Sequence, residues 1–218
     1  MTNKEKLETL RKKLEKNAPN LPLAKTFKDI VPGEGNPEAM LMFIGEAAGY
    51  YEHLQRRPFV GAAGKLLTQS LEDIGISRED VWISNILKVR PPENRDPLPE
   101  EIKAYKPYLD AEVQIIKPKI IVTLGRYSMT KFFPQTYITK IHGQAHWVDW
   151  EGRRLIVFPM YHPAAALRSQ KVMELFKADF EILARIINSL NNQSIPGNME
   201  NEAEKLQDSE INQQLTFL

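Results

Sequence analysis

With 218 residues, 42% of them hydrophobic, the chain is long enough for one substantial core with residues left over for tails. It has no cysteine, which excludes disulfides, thiolate nucleophiles, cysteine-ligated zinc and an iron–sulfur cluster held by its own thiolates. No apolar run approaches the roughly 18 to 20 residues that span a bilayer and the N-terminal residues are charged, which points to a soluble cytoplasmic protein, while a net charge of +1 leaves the substrate open.

In chain order, residues 3–16 read as an exposed charged helix, because Leu7, Leu10 and Leu14 recur at intervals of three and four among Lys, Glu and Arg. Residues 17–37, rich in Asn, Pro and Gly, read as a long connection. Apolar runs at 39–44, 81–87 and 119–124 read as strands. So do 146–150 and 154–161, which flank a Glu151-Gly152 turn that fits a hairpin or a wider connection. Helical patterns follow Gly64, occupy the stretch near 100–117 with an interruption at Pro107, surround Ser128 to Phe133, and span Lys171 to Leu190. Strands alternating with helices predict an α/β domain over residues 1–190: a three-layer αβα sandwich around a central, mainly parallel four-stranded sheet. Residues 191–218 are too polar to bury a core and read as a disordered tail, until apolar residues return at the end.

Three dense motifs fall at strand ends. The first is Gly45-Glu46-Ala47-Ala48-Gly49, with Glu52 and then Arg57 to Gly64. Glycines this dense make the backbone turn sharply and come close to something; standing alone, the segment reads first as a structural strand-to-helix connection. The second runs from Asn85 to Arg95. An Asn at the end of an apolar strand needs partners if buried, and its amide suits reading a base edge. Lys88, Arg90, Asn94 and Arg95 on the following loop are either phosphate contacts or a solvated basic loop. The third is Tyr161 to Arg168, where His162 is followed by Pro, small residues, then Leu167 and Arg168, a run like a wedge that enters a base stack.

Taken together, in order and at fitting separations from about Val31 to Ile187, these motifs resemble the family 4 uracil-DNA glycosylases. The resemblance implies excision of uracil from DNA by hydrolysis of the N-glycosidic bond, with Glu46, Asn85 and His162 as catalytic residues. Uracil would be bound by Ala47, Glu52, Phe59, Asn85 and His162: Phe59 stacking on the base, Asn85 pairing with N3–H and O4, His162 donating to O2, and Glu52 crowding a thymine methyl. Glu46 would orient the attacking water, and Leu167 with Arg168 would form the wedge. Two other readings keep the fold: a site for hypoxanthine or xanthine, and a uracil-DNA-binding relative without activity.

The family holds a [4Fe–4S] cluster with four cysteines, and here Ala18, Leu21, Val89 and Tyr105 stand at about those positions, so no metal or cofactor is expected. Ala48, Tyr50, Tyr51 and His53 also depart from the family pattern. At the C-terminus, Gln214-Leu215-Thr216-Phe217-Leu218 resembles the peptide that bacterial replication and repair proteins insert into a sliding clamp. The expected partners are therefore uracil-containing DNA and a clamp, for a monomer associated with the nucleoid.

Overall fold

The computed structural model describes residues 1–192, and the clamp-like residues Gln214, Leu215, Phe217 and Leu218 lie outside them. The chain divides into two units, Met1–Glu181 and Ile182–Leu218; the fold below is that of the first.

Helix α1 (Asn3–Lys16) opens with a capping box in which Thr2 and Glu5 satisfy each other's amides, and it buries Leu7 and Leu14. The centre of the fold is a sheet of six strands: β1 (Glu34–Gly35), β2 (Leu41–Ala47), β3 (Trp82–Leu87), β4 (Ile120–Leu124), β5 (His146–Trp150) and β6 (Arg153–Met160), in the order β1-β3-β2-β4-β6-β5. The inner four are parallel, as expected, while β1 and β5 pair antiparallel at the edges. The expected count of four is corrected to six. Of the two connections that the sequence allows, β5 and β6 form the hairpin, with Glu151 and Gly152 both at positive φ, +50° and +74°. β1 leaves no signal in the sequence, because two residues carry no period.

The inner strands are apolar on both faces, as parallel strands covered by helices must be. On one face, Met42, Ile44, Trp82, Ile86, Ile121 and Val157 pack with Leu109, Val113 and Ile116 of α4 (Pro99–Ile116). On the other, Phe43 stacks on Phe180, 6.3 Å between ring centroids, and Phe180 meets Phe176, both from α8 (Gln170–Asn192). The three-layer architecture is thus observed. α4 runs through Pro107 without a break: the proline removes one backbone donor, but Tyr105, Tyr108, Leu109, Glu112 and Val113 around it are buried, and that packing outweighs the local penalty. Short helices α2 (Tyr50–Gln55), α3 (Ala62–Asp73), α5 (Arg126–Met129), α6 (Ile138–Ile141) and α7 (Pro163–Ala166) fill the connections. Among the described residues no helix is long and apolar enough to cross a membrane.

Candidate active site

The site grows from the carboxyl ends of the parallel strands, where such sheets gather ligands. Register places Gly45 of β2 opposite Asn85 of β3. Gly45 is required by close approach: a Cβ there would overlap Asn85 Oδ1 and the edge of the Phe59 ring. Asn85, Phe59 and Gly45 therefore share one small space. Asn85 is 3% exposed, and its Oδ1 has no hydrogen-bond partner among the described residues. A buried amide acceptor left open costs roughly 1–3 kcal/mol, so it marks a place where something else completes the bond.

His162 closes the same space, its ring 5.6 Å from that of Phe59 and tilted by 30°. It sits at the N-cap of α7, and the Ala164 N–H donates to Nδ1 at 3.1 Å. Nδ1 is thereby the acceptor, which leaves the proton of the neutral ring on Nε2. Burial, helped by Arg168, holds the His162 pKa down at about 4, with Glu52 pulling the other way. Near neutral pH it is an uncharged donor.

Glu46 follows Gly45 and is half-buried. Burial, then the charge of Asp96, pushes its carboxyl up to about 7, with Arg126 opposing. Asp96 and Arg126 form an exposed ion pair beside it, and Arg126 Nη2 also donates to the Tyr127 hydroxyl at 2.8 Å. Asp96, on the loop before α4, and Arg126 and Tyr127, which open α5, belong to no sequence motif and carry no signal that would bring them together. Ala47, the next residue, is half-buried and pairs with Leu87. Glu52 points back into its own loop, where Oε1 accepts from Val60 N–H at 2.9 Å and Gly61 N–H at 2.7 Å.

A model of the uracil DNA glycosylase superfamily matches residues 32–184. A type-4 uracil-DNA glycosylase of Sulfurisphaera tokodaii is 50% identical over 157 residues, 69% of this chain and 71% of that one. The chain belongs to the uracil-DNA glycosylase superfamily, in its type-4 branch. A type-4 uracil-DNA glycosylase of Archaeoglobus fulgidus is 43% identical over 169 residues, 75% and 85% of the two chains. The type-5 uracil-DNA glycosylase of Thermus thermophilus is more distant, 29% identical over 152 residues, 61% of this chain and 68% of that one.

Two features of this glycosylase-superfamily chain bear on the expectations from its sequence. Ala18, Leu21, Val89 and Tyr105 do converge, in a single apolar cluster with Leu14, Ala24, Ile30, Leu87 and Tyr108. The first four are at most 9% exposed, and the Tyr105 hydroxyl donates to the Pro22 carbonyl at 2.7 Å. Packed hydrocarbon with no sulfur donor does not fit an iron–sulfur cluster.

The second feature is Lys88, which is not a phosphate contact. It is completely buried, its Nζ donating to Glu112 Oε2 at 2.7 Å and to Ser84 Oγ. Burial lowers its pKa, and Glu112 draws it back up. A cation with no access to solvent has none to DNA. The rest of the basic loop is at the surface. Arg90 lies over the Tyr50 ring at 5.1 Å and donates from Nε to Asn94 Oδ1 at 2.8 Å, making the two predicted contacts one unit. Arg95 is engaged in a two-pronged pair with Glu101, at 2.9 and 2.6 Å, which also accepts from Leu98 N–H at the start of α4. Leu167, 49% exposed, and the exposed Arg168 project just past α7.

Proposed function

We propose that this chain excises uracil from DNA by hydrolysing the bond between the base and the deoxyribose, leaving an abasic site. The observation that carries the reading is the buried Oδ1 of Asn85, without a hydrogen-bond partner among the described residues, beside the Phe59 ring and the Nε2–H of His162. Uracil offers a donor at N3 and acceptors at O4 and O2. The Asn85 amide accepts from N3–H and donates to O4, whereas cytosine presents the reverse order at those positions and leaves the amide unmatched in a buried site.

The nucleotide must first leave the duplex, at a cost of about a few kcal/mol. Leu167, exposed at the end of α7 with Arg168 next to it, suits the wedge that fills the gap. The flipped base then stacks on Phe59, a face that holds any base and selects none. As the glycosidic bond breaks, the base takes its electron pair and the sugar becomes cationic. His162 Nε2–H donates to O2 and stabilises the departing anion. Water, oriented by the Glu46 carboxylate, adds its oxygen to C1′, and its proton ends on the departing base. No amine nucleophile is invoked, so no strand cleavage accompanies excision.

The test is incubation with an oligonucleotide carrying one uracil, followed by alkali. Strand scission at that position supports the reading; scission only with hypoxanthine or xanthine, or tight binding without scission, overturns it. Arg90 with Asn94 and Arg168 are proposed as backbone contacts, and Gln214, Leu215, Phe217 and Leu218 as a clamp-binding peptide, on the sequence resemblance described above.

A further inference from the structure

Phe59 does not stand in a relaxed loop. Its φ is +53°, in the left-handed region that a bulky residue enters at a cost of about 1–3 kcal/mol, so its surroundings must hold it there. On one side the Glu52 carboxylate gathers the Val60 and Gly61 amides. On the other is Arg78, in a single turn before β3, only 13% exposed. Its Nη2 donates to the Pro58 carbonyl at 2.6 Å, and its Nη1 to the Phe59 carbonyl at 3.0 Å and to Thr68 Oγ1 at 3.3 Å.

Two further observations make this a built arrangement. Gly64, in the first turn of α3, lies so close to the Phe59 carbonyl that any Cβ there would overlap it. Glu34 of β1 accepts from Arg78 Nη2 at 3.0 Å and grips Arg57 at 2.8 and 3.0 Å. Burial pushes the Glu34 carboxyl up, but the hydrogen bonds from Arg57 and Arg78 outweigh it and hold it below the usual carboxylate range. Register sets Glu34 against Ile83, two residues before Asn85 on the same strand. The two-residue edge strand thus ties the loop bearing the aromatic ring to the strand bearing the amide.

We propose that Arg78 is a positioning residue for Phe59: it locks the Pro58 and Phe59 carbonyls so that the ring keeps a fixed distance from Asn85, with Glu34 orienting the guanidinium. The inference rests on the uracil pocket proposed above. A guanidinium fork holds two carbonyls in a fixed planar geometry that the point charge of an ammonium does not reproduce, so lysine restores only part of the effect.

The experiment measures single-turnover excision, inhibition by free uracil, and Tm for Arg78→Ala, Arg78→Lys, Glu34→Gln, Phe59→Ala and the Phe59→Ala/Arg78→Ala pair. We expect Arg78→Ala to weaken uracil inhibition and slow excision, each about 10-fold, with Arg78→Lys intermediate and Glu34→Gln milder in the same direction. The pair should be no slower than Phe59→Ala alone, because the arginine acts through the ring. Losses that multiply in the pair, or variants that lower Tm while excision and uracil inhibition stay unchanged, overturn the inference. If Arg78→Ala does not fold, Arg78→Lys and Glu34→Gln carry the same comparison. Wild-type excision and uracil inhibition in Phe59→Ala would sink the pocket reading, and this inference with it.

Discussion

The Ala164 amide donates to Nδ1 of His162, and that one bond decides which face of the imidazole carries the proton. Because burial and Arg168 hold this histidine at about 4, it gives no titration near 6.5. His162→Ala should lower single-turnover excision by about 10²–10³-fold, the scale for losing one donor to a developing anion. The loss should be even from pH 5.5 to 8. The stability sign follows from the depressed pKa: above about 6.5 the neutral ring costs nothing, and stability falls as pH drops toward 4, where the unfolded chain binds the extra proton. His162→Ala should lessen that acid decline, as read by urea melts at pH 7 and pH 4.5. A rate limb near pH 6.5 that vanished in His162→Ala would contradict the assignment.

Glu46 makes the opposite demand. Its carboxyl, raised to about 7 by burial and then by Asp96, must be ionised to orient water, so kcat/KM should climb with pH through an apparent pKa near 7 and level off above it. Glu46→Gln should remove that limb and lower the plateau by about 10²-fold. A folded pKa above the unfolded value means stability declines as pH rises from about 4.5 to 7. Glu46→Gln should therefore raise Tm at pH 8 and leave it unchanged at pH 4. Asp96→Asn should move the limb to lower pH, since it removes the repelling charge.

Gly45→Ala tests the shared space between Asn85 and Phe59. The backbone at residue 45 is ordinary strand, so alanine is accepted there conformationally, but its methyl would overlap Asn85 Oδ1 and the edge of the Phe59 ring and push both from their places. Excision should fall by about 10²-fold or more, the scale of a small misplacement in a site of this kind. Asn85→Ala should cost about 10- to 10²-fold through lost base pairing, and Asn85→Asp at least as much, because a carboxylate cannot donate to O4. Single-turnover kinetics on one duplex compares all three, and a wild-type rate in Asn85→Ala would refute the amide's role.

Lys88→Ala should destabilise the fold by about 3–5 kcal/mol, since it strands the buried Glu112 carboxylate, while the salt dependence of DNA binding stays as in the wild type. Replacing Lys88 with Met and Glu112 with Leu together should recover most of the loss. Urea melts read the first effect and binding titrations at several salt concentrations the second. A shallower salt slope in Lys88→Ala would restore the phosphate contact that the structure removes.

Where the sequence was legible, physics had left a local mark. The run at residues 39–44 reads as a strand because it is apolar throughout, and Asn85 stands out because a polar side chain ends such a run. Lys88 misled for the same reason that Asn85 did not. A lysine on a loop next to prolines looks solvated, and its partner Glu112 lies 24 residues away on another element. Arg78 left no mark at all, because its partners are backbone carbonyls, which no sequence pattern distinguishes. β1 stayed hidden for want of length, and Pro107 suggested an interruption that long-range packing overrides.

The apolar cluster around Tyr105 bears on how this protein withstands its surroundings. Iron and sulfide are open to attack by peroxide and oxygen, and a fold that leans on them loses a brace when they are stripped. Alanine, leucine and valine offer such reagents nothing to oxidise, and a phenol sealed against the Pro22 carbonyl is shielded from them. With packed carbon at these positions, this corner of the molecule offers an oxidant neither iron nor sulfur to strip away.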